Sequence, residues 1–133
     1  MNHGYPKDAV SIAQKLMQFD TTNGVCPERD CILYIKDMLE SHGIETKLVF
    51  RDENRPNLFA KIRSKNPDPA IPPFVMYGHV DVVSTTGQAW EKDPFGGIIE
   101  DGYLWGRGAI DMKGEHGMFL EALIRLADEQ IDL

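Results

Sequence analysis

The fold of this chain turns on the stretch PPFVMYGHVDVV, residues 72–83. Four apolar residues in succession, 74–77, predict a strand covered by helices on both faces, because a half-exposed strand would alternate with polar residues. The run stops at Gly78 and hands over to His79 and Asp81. In extended backbone, residues two apart point to the same side. An imidazole and a carboxylate therefore meet at the carboxyl end of a buried strand, where open α/β sheets hold their ligands. A carboxylate that holds one ring nitrogen leaves the other free to bind a metal. Taken alone, the spacing is better served by a satisfied structural His–Asp pair at a strand end than by a metal ligand.

Towards the amino terminus, residues 8–19 predict a helix with Val10, Ala13, Leu16 and Met17 on its inner face. Residues 28–42 predict a second helix, with a stripe of Cys31, Ile32, Ile35, Met38 and Leu39. Gly43 is its expected cap, and His42 suits the negative end of the helix dipole. Two short strands, 44–50 and 57–62, precede the breaker-rich segment RSKNPDPAIPP. Beyond residue 83, Asp101-Gly102 between IIE and YLW predicts a hairpin. Residues 113–130 predict a last helix, with Phe119, Leu123 and Leu126 facing inward. Together these elements predict an α/β fold, a three-layer sandwich whose mostly parallel sheet is flanked by helices.

The length of 133 residues fits one domain, and 42% hydrophobic with 26% charged residues is the composition of a globular chain. A net charge of −7 argues against nucleic acid and against an anionic membrane surface as partners. The first residues lack the basic and apolar regions of a secretory signal. Cys26 and Cys31 suggest no disulfide framework and have no C-x-x-C spacing, so the expectation is a cytoplasmic protein with reduced thiols.

A second cluster is GRGAIDMKG, residues 106–114. It is not a dinucleotide fingerprint, because Asp111 stands where the third glycine would be, and no Gly-Lys-Ser/Thr makes it a phosphate loop. Alone, Asp111 reads as the N-cap of the last helix.

The three blocks GHVDVV, WEKDPF and GRGAIDMKG, in this order, resemble the metal-dependent deacylase and exopeptidase family of acetylornithine deacetylase, succinyl-diaminopimelate desuccinylase, aminoacylase and glutamate carboxypeptidase. The likeness covers nearly the whole chain and implies an incomplete zinc-exopeptidase-like catalytic domain. It implies that His79 is a ligand to one metal of a two-zinc site, with cobalt or manganese as substitutes. Asp81 would orient that histidine in the catalytic centre without binding metal. Asp111 would bridge both metals, with the Asp111–Met112 peptide bond cis. The activity implied is hydrolysis of the amide bond in N-acyl amino acids or small peptides, through metal-activated water and a glutamate general base. Acetyl, succinyl and peptide substrates stay equally open.

Beyond Asp111 the chain departs from the family. The family's general-base glutamate, its neighbouring metal ligand, a further acidic ligand and a distal histidine belong to later segments. Residues 1–133 are therefore expected to be the amino-terminal portion of the catalytic domain, without the downstream half or the dimerisation domain, and inactive alone. No local residue replaces those groups: Glu115 does not match the catalytic position, and His116 reads as solvated. His3 reads as part of a tail, and Glu121, Asp128 and Glu129 as charged helix faces. Trp90 and Phe95 read as packing aromatics. Arg107 suits either a substrate carboxylate or a salt bridge, and Lys113 faces solvent or a carbonyl at the start of the last helix. The parent is expected to be a homodimer and the short chain to self-associate through an unpaired sheet edge, which leaves a composite metal site between chains open. The other alternative is a non-catalytic short homologue acting as a scaffold or metal-binding module.

Overall fold

Asp8 starts the first helix, α1 (Ala9–Met17), by accepting the Ser11 amide hydrogen bond on Oδ1 at 2.9 Å. This satisfies one of the amides that a helix leaves unpaired at its start. The computed structural model describes residues 4–131 and 133, so His3 lies outside the described residues. Helix α1 buries Ile12, Ala13, Leu16 and Met17. Val10, expected inside, is 52% exposed, and Ile12 takes the inner position in its place.

Helix α2 (Arg29–Ser41) buries Cys31, Ile32, Ile35, Met38 and Leu39, the stripe that its periodicity predicts. His42 ends it, and Gly43 turns the chain with φ 73°, a conformation that costs glycine little. The chain then enters β1 (Glu45–Val49), which pairs antiparallel with β2 (Asn57–Lys61) in the register Lys47 to Phe59. Leu48, Leu58 and Ala60 pack against the core, while Lys47, Val49 and Phe59 face outward. The second hairpin joins β3 (Ile98–Glu100) to β4 (Tyr103–Trp105). Asp101 and Gly102, at φ 53° and 80°, form the turn that the Asp-Gly pair predicts.

The last helix, α3 (Lys113–Asp128), lies against α1 and turns Lys113, Gly117, Leu120 and Ile124 inward. The expected face of Phe119, Leu123 and Leu126 is only partly buried, although Leu123 does pack against the core. The offset has a simple cause. Gly117 sits at the helix contact but carries no apolar side chain, so it leaves no mark in a hydrophobic pattern. A Cβ there would stand 2.3 Å from the Ala9 carbonyl oxygen and 3.0 Å from the Ala13 Cβ. Glu121, expected on a solvated face, accepts the Ala9 amide at 2.8 Å. Asp128 likewise ties elements together, pairing with Lys7 at 2.8 Å and with the buried His42 ring at 2.7 Å.

The α/β class stands, but the expected parallel three-layer sandwich is not what the described residues form. Their strands make two separate two-stranded antiparallel sheets. Among the described residues the single parallel pairing is a bridge between Thr22 and Val82. Residues 74–77, expected as a buried strand, belong to no strand, and Phe74, Val75 and Tyr77 are 89%, 75% and 82% exposed. A strand exists only where neighbours take its amides and carbonyls. Among the described residues, none does so for residues 73–78.

This packing sets two outcomes. Gly117→Ala gains about 1 kcal/mol of helix propensity, yet the 2.3 Å approach is to backbone and cannot be relieved by a rotamer change. The net result is destabilisation by about 1–2 kcal/mol, read as a lower urea midpoint. Asp128 has its carboxyl pKa lowered to about 2 by the Lys7 hydrogen bond and then by His42. Its contribution to stability is present above the ordinary value of 3.8 and is lost as pH falls towards 2. Asp128→Asn therefore flattens the acid limb of the stability curve in that window, measured by denaturant titration at successive pH values.

Candidate functional site

Two buried valines aim the site. Val80 and Val82 point into the core, so the intervening side chains His79 and Asp81 point outward together. The buried Thr21 fixes this segment: its hydroxyl donates to the Val80 carbonyl at 2.6 Å, and its carbonyl accepts the Val82 amide at 3.1 Å. Asn23 extends the attachment, its amide bonding the Val82 carbonyl at 2.8 Å and its side chain donating to Asp81 Oδ2 at 2.6 Å.

His79 lies between two carboxylates. Its Nδ1 is 3.0 Å from the Asp81 carbonyl oxygen and 3.2 Å from Asp81 Oδ1. A carbonyl can only accept, so Nδ1 carries a proton. Nε2, 3.0 Å from Asp111 Oδ1, is then either a second N–H donating to that carboxylate or a lone pair offered to a cation. Partial burial works to lower the imidazole pKa, but the Asp81 carbonyl and the carboxylates of Asp81 and Asp111 outweigh it, and the net shift is upward.

Asp111 does not cap α3. Met112 occupies the N-cap position without a side-chain cap bond, and the Asp111 side chain is 82% exposed beside His79. The Asp111–Met112 peptide bond is cis, as the resemblance implies. The loop before it closes on one acceptor, the Gly108 carbonyl, which takes the amides of Lys113 and Gly114 at 2.8 and 3.3 Å. Gly114 has no room for a side chain, since a Cβ would stand 2.1 Å from the Ala109 carbonyl oxygen.

Lys113, expected to face solvent or a carbonyl at the helix start, and His116, expected to be solvated, are structural parts of the site. Lys113 is fully buried and donates from Nζ to the Phe19 carbonyl at 2.7 Å, and burial lowers its pKa. His116 donates from Nε2 to the His79 carbonyl at 2.9 Å, and its pKa is also lowered by burial. Neither has a signal in hydrophobic periodicity; a histidine one helical turn after Asp111 was the available clue. Arg107 meets neither a carboxylate nor a salt-bridge partner among the described residues. It donates to Gln88 Oε1 at 2.6 Å and stacks 5.2 Å from the Trp90 ring centre, which is the packing role for that tryptophan. Glu115 stays exposed, and Glu129 pairs with Arg125 at 3.1 Å. The thiol of Cys31 is buried and pushed up to about 11 by burial, while Cys26 lies in a loop.

His79, Asp81, Arg107, Ile110 and Asp111 line a cleft of about 290 Å³. The 3.0 Å separation of His79 Nε2 and Asp111 Oδ1 is near the roughly 3.3 Å expected of two tetrahedral ligands about 2 Å from one ion. The oriented Nδ1 fits the same chemistry. In number the donors fall short, for among the described residues no group of three or more His, Cys, Asp or Glu is arranged around one ion position. No described helix is long and apolar enough to cross a membrane.

Residues 75–133 match the sequence profile of Peptidase family M20/M25/M40. This segment of the chain is similar to members of that family. The profile takes in His79, Asp81 and Asp111 together. The chain is also similar to succinyl-diaminopimelate desuccinylases. That of Helicobacter pylori strain P12 is 36% identical over 126 residues, covering 86% of this chain and 31% of the relative. That of Cereibacter sphaeroides is 36% identical over 126 residues, covering 93% and 31%. That of Methylobacterium radiotolerans is 35% identical over 134 residues, covering 97% and 32%. The chain thus spans about a third of the length of these relatives.

The crowding at this loop sets an expected outcome. Gly114→Ala must displace the Ala109 backbone and with it the shared Gly108 acceptor. It lowers stability by about 1–3 kcal/mol and shifts the His79 and His116 ring resonances. Unchanged spectra would show that the loop yields without moving the site.

Proposed function

We propose that this chain is part of a metal-dependent hydrolase acting on amide bonds of N-acyl amino acids or small peptides, in the manner of acetylornithine deacetylase and succinyl-diaminopimelate desuccinylase. The observation that carries the reading is His79 held at Nδ1 by Asp81, with Nε2 turned to Asp111. His79 and Asp111 would hold the metal, zinc first, with cobalt or manganese as substitutes. Asp81 is the positioning residue that fixes the ring and its tautomer, and Asn23 in turn fixes Asp81. The chemistry supplied by a bound metal pair is polarisation of an amide carbonyl and activation of water.

Residues 1–133 constitute, in this reading, the amino-terminal portion of the catalytic domain. Its sheet becomes mostly parallel, with helices on both sides, when the parent's later segments pair with it. Two donors without a general base make the chain inactive alone, since a closed zinc site takes three or four protein ligands. The parent is a cytoplasmic homodimer with a small-molecule substrate, and its acyl group is open between acetyl and succinyl. The donor count also favours a second reading, a non-catalytic scaffold or metal-binding module.

Zinc titration followed by calorimetry tests the assignment. Binding is expected to weaken at least tenfold in His79→Gln and in Asp111→Asn, and about tenfold in Asp81→Asn, the scale of lost outer-shell support. Equal zinc affinity in wild type and His79→Gln would sink the ligand assignment. Turnover of N-acetyl or N-succinyl amino acids by the 133-residue chain, lost in His79→Gln, would overturn its inactivity. Tight zinc binding with no hydrolysis after completion by a relative's remaining segments would favour the scaffold reading.

A further inference from the structure

Arg55, Arg63 and Arg125 each pair with a glutamate carboxylate, whereas every partner of Arg107 among the described residues is neutral. Its Nη2 donates to Gln88 Oε1 at 2.6 Å and reaches the Ser84 carbonyl at 3.5 Å, and the guanidinium carbon lies 5.2 Å from the Trp90 ring centre. Nε is buried without a hydrogen-bond partner, and Nη1, open to solvent, has none among the described residues. The backbone beneath is fixed on both sides. The Arg107 amide donates to the Pro94 carbonyl at 2.7 Å. A Cβ at Gly106 would stand 2.8 Å from Met17 Sδ, and one at Gly108 3.0 Å from Val82 Cγ1. A guanidinium held this firmly loses little freedom when it binds, and a carboxylate supplies the strong charge-assisted bond that its neutral partners do not.

We propose that Arg107 is a carboxylate-binding residue, its Nη1 donating to the carboxylate of a small amide ligand held in the cleft it shares with His79 and Asp111. Among the described residues lining that cleft, Arg107 alone carries a permanent positive charge. Asp81 and Asp111 disfavour an anion beside them, but both are engaged: Asp81 Oδ2 accepts from Asn23, and Asp111 Oδ1 faces His79. A carboxylate therefore has one place to go. The volume of about 290 Å³ lies at the lower edge of the roughly 300–1,000 Å³ of ligand sites, so one small molecule at the donors also reaches the Arg107 wall. Val83 and Ile110, both exposed, line the same cleft and give its methylene groups an apolar contact. The site thus selects acids over neutral amides. That the bound acid is also the molecule hydrolysed rests on the hydrolase reading above.

Three probes test this. N-acetylglycine carries its carboxylate on the amine side of the amide, N-succinylglycinamide carries it on the acyl side, and N-acetylglycinamide has none. Each is titrated into the full 133-residue chain, stripped of metal and dialysed free of chelator, with the Trp90 indole and Arg107 Nε–H resonances as the readout. A saturable shift at millimolar concentration is expected with at least one of the acids, and at least tenfold weaker binding with the neutral amide. The acid that binds more tightly identifies the side of the amide on which the carboxylate lies. Arg107→Gln is expected to weaken acid binding at least tenfold, read at Trp90. Because Arg107 also packs on Trp90, Gln88→Glu supplies a variant that keeps the arginine. Its new carboxylate pairs with the guanidinium and lowers acid affinity at least tenfold while the remaining resonances hold their positions. No shift with either acid, equal binding of the neutral amide, or acid binding that survives both substitutions would overturn the proposal. Acid binding without His79-dependent zinc binding supports the carboxylate site and counts against the hydrolase reading. Zinc binding that depends on His79, with no acid binding, does the reverse.

Discussion

Lys113 has its side chain wholly buried, and its ammonium is tolerable there because the Phe19 carbonyl accepts from it. That bond attaches the loop carrying Asp111 to the short segment just after α1. The same segment holds the other half of the site: Thr21 bonds Val80 and Val82, and Asn23 bonds Asp81. His79 and Asp111 are 32 residues apart in the chain and 3.0 Å apart in space because both are tied to residues 19–23. Without a partner for the ammonium, the cost of burial would fall on the start of α3, and Asp111 would lose its fixed distance from His79.

Around this tie the site is built on backbone acceptors more than on side-chain pairs. The His79 carbonyl takes His116, the Gly108 carbonyl takes two amides, and the Asp81 carbonyl takes His79 itself. Backbone acceptors vary little with side-chain chemistry, which suits a centre whose two donors must be held while the surface above them is open. The glycines at 78 and 114 belong to the same arrangement. A Cβ at Gly78 would stand 2.6 Å from the His116 ring, and the space at Gly114 is filled by backbone.

Much of this was legible in the sequence. The α2 stripe, the two strands of the first hairpin and the second hairpin with its Asp-Gly turn come from local periodicity and turn chemistry, which need no distant partner. The meeting of His79 with Asp81 comes from strand geometry, and its meeting with Asp111 only from what the family resemblance implies. The features that escaped were non-local. Nothing near Lys113 in sequence announces that Phe19 will take its ammonium. Gly117 is invisible to a hydrophobic pattern although it marks the face of α3. The run 74–77 carries a strand's composition, but composition cannot supply the neighbours that make a strand, and the described chain has none to offer.

The pairing of α1 with α3 has a further consequence, for the order in which the chain can acquire structure. The Ala9 amide and the Glu121 carboxylate that accepts it are 112 residues apart, and Ile12, Leu16, Leu120 and Ile124 share one core. During synthesis α1 emerges before α3, and its apolar face lacks that cover until more than a hundred further residues have been made. Contacts of such long sequence separation form slowly, and the interval leaves α1 and α2 with only each other and the first hairpin.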